Sequence, residues 1–364
     1  MRKYAIRVLA AAALALVCSC NNNALPPRPA IPLVEAIVRD TSGMAAIVAK
    51  AGHSGADGSV AIIGEPAQSL ALSRLFRGID VRDNIDGRPV RDSLPDFAGE
   101  QIDVFLDALN APFSSYVPSG IDSLREAAVQ GAMFAWDSLC LKTPVARSQR
   151  LSKSRAKILV FASPLHSAWG LFDVDTLQQL CGGASRLFTP VEVSIDAAVS
   201  AGAQNIAVWA SKEICASGAY ESAFSGPGSI KSITPEPALD IRTEFRSLLR
   251  QYLETGRRLD ALILSAYDID TTPLRSELAM IRRAGTDEDL ALSRMLSPGF
   301  AVYDPGSCIT AAVYRYMREQ NLFTHRIALP AVRWFETVET DTGEEAVIEV
   351  GQAYVHSAYV QDFD

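Results

Sequence analysis

The sequence has few of the residues from which metal centres and covalent active sites are usually built. Its 364 residues include 4 histidines and 6 cysteines, with no CxxC and no metal-type Cys/His spacing. It also lacks a basic cluster, since 42 acidic residues outnumber 34 basic ones and give a net charge of −8. These absences argue against zinc and against nucleic acid as a partner, and we expect neither a metal nor a cofactor.

Long apolar runs are also scarce, and the one at the N-terminus is too short to span a bilayer. Arg2, Lys3 and Arg7 precede an apolar stretch over residues 8–17, which is typical of a signal peptide. We therefore assign residues 1–19 to a signal peptide. Its removal takes away three positive charges and no negative ones, so the net charge falls from −8 to −11.

The end of this signal resembles a bacterial lipobox. Val17-Cys18-Ser19-Cys20 places a cysteine where lipoproteins are acylated, and two or three acyl chains anchor a protein stably in a bilayer. Asn21, rather than Asp, follows the cysteine, as in lipoproteins sorted to an outer membrane. We expect lipidation at Cys20 and a chain anchored in the outer membrane, facing the periplasm, or else the cell surface. The alternative is a plain signal peptide with a chance cysteine.

Four further cysteines are far apart in the sequence: Cys140, Cys181, Cys215 and Cys308. In an oxidising periplasm they would form one or two disulfides, whose pairing the sequence does not determine. Buried free thiols are the equal alternative.

The remaining chain alternates between apolar runs and segments of helical period. A proline-rich stalk and a peripheral helix at 37–51 occupy residues 20–57. Alternation after it favours parallel strands joined by crossover helices. The expected strands are Val60–Ile63, Ile102–Leu106, Ile158–Phe161, Ile206–Val208, Ala261–Leu264 and Phe300–Val302. The expected helices are 69–76, 122–139, 172–180, 194–201, 242–253, 274–283 and 307–319.

A hairpin is expected near the C-terminus, where 333–339 and 346–350 flank Asp341-Thr342-Gly343. We interpret residues 331–364 as an extension outside the main fold.

The stretch Leu259–Leu278 is the first place to look for chemistry. An apolar run ends in the polar loop Ser265-Ala266-Tyr267-Asp268, and Pro273 then opens a helical segment. In open α/β sheets, ligands bind at loops that follow the carboxyl ends of strands. Lys157–Ser163 has a similar pattern. Two such loops facing each other would make a cleft between lobes.

Several motifs from Val60 to Phe323 together resemble glutamate racemase, of the aspartate/glutamate racemase superfamily. They are Ile102–Asp107 with Ala111-Pro112-Phe113-Ser114, Phe188–Val193, Ser217-Gly218-Ala219-Tyr220, the Leu259–Leu278 stretch and Phe300–Asp304. The resemblance implies an α/β protein of two Rossmann-like lobes, with mainly parallel sheets and the substrate in an interlobe cleft. It places 58–188 with 267–330 in the first lobe and 189–266 in the second.

The resemblance also implies cofactor-free proton transfer by two cysteines, one from each lobe. This sequence departs from the pattern at both positions, where it has Ser163 and Ala266. A serine hydroxyl is a far weaker base than a thiolate, and alanine transfers no proton. Two-thiol racemisation is therefore not supported.

Other residues near these two positions offer alternatives to the missing cysteines. Ser163, His166 and a carboxylate such as Asp107 or Asp268 would form an activated nucleophile, but no GxSxG motif surrounds Ser163. A helix cap for Ser163, a structural role for His166 and a helix-start acid for Asp268 are the plainer interpretations. The resemblance implies these ligand-binding positions: Glu65, Asp107, Pro112, Phe113, Ser163, Ser211, Ser217, Ala266, Tyr267 and Asp268.

Three functions remain open at this stage. The favoured one is a lipoprotein that binds an amino acid or related small carboxylate without two-thiol racemisation. The second is an active isomerase, racemase or hydrolase with replaced catalytic residues. The third is a type I solute-binding lipoprotein, which predicts three chain crossings between the lobes.

Overall fold

A computed structural model describes residues 29–40, 43–117, 119–145 and 149–360. The expected signal peptide and the lipidation site at Cys20 lie outside these ranges. Within the described residues, no helix is both long enough and apolar enough to cross a membrane.

Twelve strands are found in the described chain. They are β1 (Ser59–Gly64), β2 (Gln101–Leu106), β3 (Leu139–Leu141), β4 (Arg150–Ser152), β5 (Ala156–Phe161), β6 (Arg186–Phe188), β7 (Asn205–Trp209), β8 (Ser229–Ile233), β9 (Leu259–Leu264), β10 (Leu296–Tyr303), β11 (Ala331–Glu339) and β12 (Glu345–Val350).

The helices lie mainly between successive strands. They are α1 (Pro32–Arg39), α2 (Met44–Ala49), α3 (Pro66–Gly78), α4 (Ile121–Trp136), α5 (Pro164–Trp169), α6 (Leu171–Cys181), α7 (Pro190–Ser200), α8 (Lys212–Ser217), α9 (Ala219–Ala223), α10 (Ile241–Leu253), α11 (Thr271–Arg282), α12 (Asp287–Met295), α13 (Pro305–Glu319) and α14 (Gln352–Tyr359).

The first lobe is built on an eight-stranded sheet of order β4-β3-β12-β11-β2-β1-β5-β6. Five of its seven strand pairings are parallel, and only β11–β12 and β3–β4 are antiparallel. Every residue of β1 and β5 is buried, because helices cover both faces of the sheet. One face packs against α4 and α6 and the other against α3 and α13.

The second lobe is built on a four-stranded sheet of order β10-β9-β7-β8, in which all pairings are parallel. Leu274 and Ile281 of α11 and Leu292 of α12 pack on Leu262 and Leu264 of β9. The expected α/β class, with mainly parallel sheets in two lobes, is confirmed.

Two expected boundaries need correction. Phe300–Val302 was assigned to the first lobe, but β10 pairs in parallel with β9, because the apolar faces of α11 and α12 form the crossover between these two strands. The C-terminal hairpin is not an extension, because β11 pairs with β2 in the main sheet.

Taken in sequence order, the described strands pass from one sheet to the other twice. The solute-binding alternative predicts three crossings.

The N-terminal helix expected over 37–51 is two helices, α1 and α2, in which Val34, Ile37 and Val48 are buried.

The four cysteines in the described residues are free thiols, and Cys140 is buried. The free-thiol alternative therefore holds for this structure.

Candidate functional site between the lobes

The loops that follow β5 and β9 meet in the structure. Tyr267, three residues after β9, donates a hydrogen bond from Oη to the carbonyl oxygen of Ala162, directly after β5, at 2.7 Å. The structure thus brings the Ser163 loop and the Ala266 loop together across the interlobe boundary.

Ser163 acts as the N-cap of α5. Its side chain is buried, and Oγ accepts a hydrogen bond from the backbone N of Leu165 at 3.3 Å. Capping satisfies one of the free amides at the helix start. The sequence-based interpretation of Ser163 as a helix cap is therefore confirmed.

His166 is fully buried between two aromatic rings. Its ring centroid lies 4.4 Å from that of Phe113 and 5.4 Å from that of Phe161. Burial lowers the pKa of the imidazole to about 3, so the ring is neutral at neutral pH. Neither ring nitrogen has a hydrogen-bond partner among the described residues. No Ser163–His166 hydrogen bond exists, and the activated-nucleophile arrangement is not formed.

Asp268 and Ala266 differ in exposure. Asp268 is exposed at the surface, whereas Ala266 is half-buried beside Tyr267. The N-cap of α11 is Asp270, whose carboxylate accepts from the backbone N of Thr272 at 2.8 Å. Asp268 is therefore neither the helix cap nor part of a buried catalytic group.

Two serines expected to bind ligand have backbone partners instead. Ser211 is the N-cap of α8 and accepts from the backbone N of Ile214 at 3.4 Å. Ser217 is buried, donates to the carbonyl of Ile214 at 2.7 Å and accepts from the backbone N of Ala219 at 3.2 Å. Both hydroxyls stabilise the chain turn around α8.

The carboxyl ends of β1 and β2 place two carboxylates close together. Glu65, after β1, accepts through Oε1 from the backbone N of Phe113 at 2.9 Å. This amide follows the cis peptide bond between Ala111 and Pro112. Burial raises the pKa of Glu65, and the nearby charge of Asp107 raises it further.

Asp107 belongs to a polar cluster that sequence reasoning only partly found. Its Oδ1 accepts from Nδ2 of Asn110 at 3.0 Å and from Oγ1 of Thr337 at 3.1 Å. Glu345, at the start of β12, accepts from the same Asn110 amide at 3.5 Å. Burial raises the pKa of both Asp107 and Glu345. Thr337 and Glu345 were not predicted as members of this cluster, because the sequence analysis placed the C-terminal hairpin outside the main sheet.

Tyr220 and Cys308 are the interlobe residues that sequence reasoning left out of the site. Tyr220 of α9 is fully buried, in one apolar cluster with Phe113 and Leu165 of the first lobe. Its hydroxyl has no hydrogen-bond partner among the described residues. Burial raises its pKa, as does the proximity of Cys308. The tyrosine was visible in the Ser217–Tyr220 motif, but nothing in the sequence indicated its burial.

Cys308 lies close enough to Tyr220 to affect the pKa of its phenol. It lies in the first turn of α13, and burial raises its pKa to about 11. It is therefore protonated at neutral pH, which removes the thiolate on which proton abstraction by cysteine depends. Elsewhere in the described chain, no cluster of three or more His, Cys, Asp or Glu side chains is arranged to hold a metal ion.

Comparison with known proteins gives structural neighbours only. No protein-family model matches the sequence, and no curated protein matches it. A glutamate racemase of Bacillus anthracis is 14% identical with a TM-score of 0.49, over 78% of this chain and 90% of that one. A glutamate racemase of Thermus thermophilus, in complex with β-chloro-D-alanine, is 15% identical with a TM-score of 0.47, over 79% and 91%.

A putative Asp/Glu racemase of Yersinia pestis is also similar, at 12% identity and a TM-score of 0.39, over 71% of this chain and 98% of that one. These likenesses concern the fold alone.

Proposed function

We propose that this chain is a membrane-anchored lipoprotein that binds an amino acid or a related small carboxylate between its lobes and does not racemise it. The acylated Cys20 would hold it in the bilayer, and the lobes would face the periplasm. The proposal rests chiefly on the buried hydroxyl of Tyr220, which lies at the lobe boundary with no described partner.

The hydroxyl, thiol and phenol groups at the lobe boundary support the absence of racemisation. Proton abstraction at an α-carbon needs a base with a pKa near ambient pH. Ser163 is committed to capping α5, Ala266 has no titratable group, and the pKa of Cys308 is about 11. The phenols of Tyr220 and Tyr267 have pKa values raised by burial. All these groups hold their protons or have none to exchange. Glu65 and Asp107, whose pKa values are raised by burial, are the carboxyl groups that the heavy-water experiment below also tests.

Binding is supported by the polar groups buried at the same boundary. A buried donor without a partner costs roughly 1–3 kcal/mol, and buried polar groups in proteins are rarely left unsatisfied. The Tyr220 hydroxyl stays neutral at neutral pH and is a hydrogen-bond donor to a carboxylate oxygen. Opening of the Tyr267–Ala162 contact would admit such a ligand.

A thermal-shift screen over D- and L-amino acids and dicarboxylates tests binding, because a ligand that binds only the native state raises the melting temperature. We expect stabilisation by at least one compound, and loss of that stabilisation in Tyr220→Phe. Tyr252→Phe is the matched control, since Tyr252 is equally buried but lies in the core of the second lobe. A flat response across the whole panel would rule out the binding proposal.

Chemistry is tested separately by proton NMR in heavy water. We expect no deuterium at the α-carbon of any compound that stabilises the chain. Incorporation above the level without protein would identify an isomerase and reject the non-racemising proposal.

The anchor is tested by fractionating cells that express the full chain. We expect the chain in the membrane fraction and labelled by a palmitate analogue, and we expect Cys20→Ala to abolish the label. Cys18→Ala should leave the label unchanged. Labelling that persists in Cys20→Ala would place the acyl chain elsewhere.

A further inference from the structure

A cavity of about 880 Å³ lies in the first lobe, away from the lobe boundary. It is formed between the long segment 79–100, which joins α3 to β2, and the end of α13 with the segment that follows it. None of its lining residues belongs to the site between the lobes. Its volume falls within the range of small-molecule sites, about 300–1,000 Å³.

The apolar lining of this cavity is built on aromatic rings. Tyr314 and Phe323 line it, with ring centroids 5.2 Å apart, and Phe97 supports Tyr314 from behind at 6.2 Å. At the rim, Ile85 is 89% exposed and Ile327 is 90% exposed. Two isoleucines exposed on opposite sides of one cavity offer apolar surface to a ligand side chain.

The charges of the lining are divided between its two walls. Asp83, Asp92 and Asp96 come from the 79–100 segment. The opposite wall, from α13 and the segment after it, contributes basic side chains, namely Arg318, His325 and Arg326. A ligand that carries both charges would therefore meet a complementary group at each end.

Asp96 is the buried carboxylate of the acidic wall, with 3% of its surface exposed. The backbone amides of Val81 and Arg82 both donate to its Oδ1, at 3.0 Å each, which leaves Oδ2 outside these bonds. Burial raises the pKa of this carboxyl. The charge of Arg82 partly offsets that cost of burial, and a cationic group in the cavity would offset it further, because an opposite charge favours the ionised form.

The cavity is held in shape by bonds between its walls. Tyr314 donates from Oη to the carbonyl of Asp83 at 3.3 Å, and Arg318 donates to the carbonyl of Ile85 at 3.0 Å. The carboxylates of Asp83 and Asp92 accept backbone amides of the same segment. The walls are therefore fixed before any ligand binds, which reduces the entropy that binding must overcome.

We propose that this cavity binds a short peptide with free termini and an apolar side chain. Its ammonium group would lie at Asp96, its carboxylate at Arg318 and Arg326, and its side chains against Tyr314 and Phe323. Peptides combine these features with amide groups. Nδ2 of Asn84 already donates to the carbonyls of Leu94 and Pro95, so its Oδ1 would accept from a peptide N–H, and Asn321 of the lining would bond a second amide group. This site is independent of the one proposed between the lobes.

Calorimetric titration of the purified full chain with the dipeptide Leu-Leu tests the proposal. We expect saturable binding, weakened roughly tenfold or more when the probe is either N-acetylated or C-amidated, since each change removes one charge-assisted contact. No binding of Leu-Leu, or binding of either blocked form as tight as that of Leu-Leu itself, would overturn the assignment.

Variants locate the site. Ala98→Phe should weaken binding by occupying part of the cavity, and Arg326→Gln should weaken it most strongly for the probe with a free carboxylate. Arg315→Gln is the matched control, because Arg315 is exposed on α13 and does not line the cavity. Tyr220→Phe should also leave peptide binding unchanged, which separates this site from the lobe boundary. Unaltered affinity in both Ala98→Phe and Arg326→Gln, each shown to be folded by its circular dichroism, would place the peptide elsewhere.

Discussion

Tyr267 donates its hydroxyl hydrogen to the carbonyl oxygen of Ala162 at 2.7 Å. This single bond connects the loop after β9, in the four-stranded sheet, to the end of β5, in the eight-stranded sheet. It lies where the two lobes have to separate if a ligand is to reach the buried residues between them.

Tyr267→Phe should loosen the lobe boundary while keeping the ring. Loss of one neutral hydrogen bond, with a carbonyl left behind, is expected to lower the free energy of unfolding by about 1 kcal/mol. Hydrogen exchange of the amides in the loops around Ser163 and Tyr267 should accelerate. Tyr116→Phe, at another half-buried tyrosine, is the control. Unchanged exchange in Tyr267→Phe would mean that the bond does not hold the lobes together.

A buried ion pair anchors the start of the described chain. Arg125 of α4 donates to both carboxylate oxygens of Asp173 in α6, at 2.7 and 2.8 Å, and to the carbonyl of Pro29 at 2.7 Å. Asp173→Asn should lower the free energy of unfolding by about 3–5 kcal/mol, because the buried guanidinium then keeps only the exposed carboxylate of Asp122, at 3.0 Å, as a counter-charge among the described residues.

The double variant Arg125→Met with Asp173→Leu should lose less stability than Asp173→Asn alone, since no charge stays buried in it. Chemical denaturation measures both. Arg39→Gln, which breaks an exposed pair with Glu35, should change stability by less than about 1 kcal/mol. Equal losses in the single and the double variant would contradict this account.

The sequence predicted the central strands because strands that are buried on both faces consist of unbroken apolar runs. Val60–Ile63 and Ala261–Leu264 are such runs, and both are buried strands in the structure. Short strands away from the sheet centres lack this signal. Ser229–Ile233 has only two apolar residues, and Leu139–Leu141 has only three residues in all, so neither was expected. The pairing of β11 with β2 joins segments more than 200 residues apart and has no local pattern.

The site was predicted less completely than the fold. The sequence located the two loops that meet at Tyr267 and Ala162, because each follows an apolar run. It did not reveal that Tyr220 is buried at the same boundary, or that Glu345 joins Asp107. Burial and proximity of this kind arise from tertiary packing and leave no local spacing in the sequence.

Asp107→Asn should make stability less dependent on pH. Burial raises the folded-state pKa of Asp107 above its unfolded value, so the native state binds more protons than the unfolded state between the two values. The wild type therefore loses stability as pH rises through this window, by about 1.4 kcal/mol for each unit by which the pKa is raised.

Urea denaturation at intervals from pH 3.5 to 7 measures this effect as the difference between the two proteins. We expect the free energy of unfolding of Asp107→Asn, relative to that of the wild type, to increase as pH rises. Asp196→Asn, at an exposed carboxylate of α7, should keep a nearly constant difference. A constant difference for Asp107→Asn as well would show that this carboxyl is not perturbed in the folded chain.

Lys153→Met should have the opposite dependence, at alkaline pH. The ammonium of Lys153 is buried, donates to the carbonyls of Ala135 and Asp137, and lies 5.2 Å from the ring centroid of Phe105. Burial lowers its pKa from 10.5 to about 8. The unfolded state therefore binds more protons than the native state between these values, and the wild type gains stability as pH rises from about 8 to 10.5.

Comparison of the wild type with Lys153→Met in urea, at steps between pH 7.5 and 10.5, tests this sign. The free energy of unfolding of the wild type minus that of Lys153→Met should increase with pH. At high pH the neutral amine no longer carries a buried charge, while its hydrogen bonds to the carbonyls of Ala135 and Asp137 remain. Lys50→Met is the control, since Lys50 is exposed and its replacement should give a flat difference. If the advantage instead shrinks with rising pH, the ammonium form must be the one that the native structure stabilises, and the three surrounding carbonyls would outweigh desolvation.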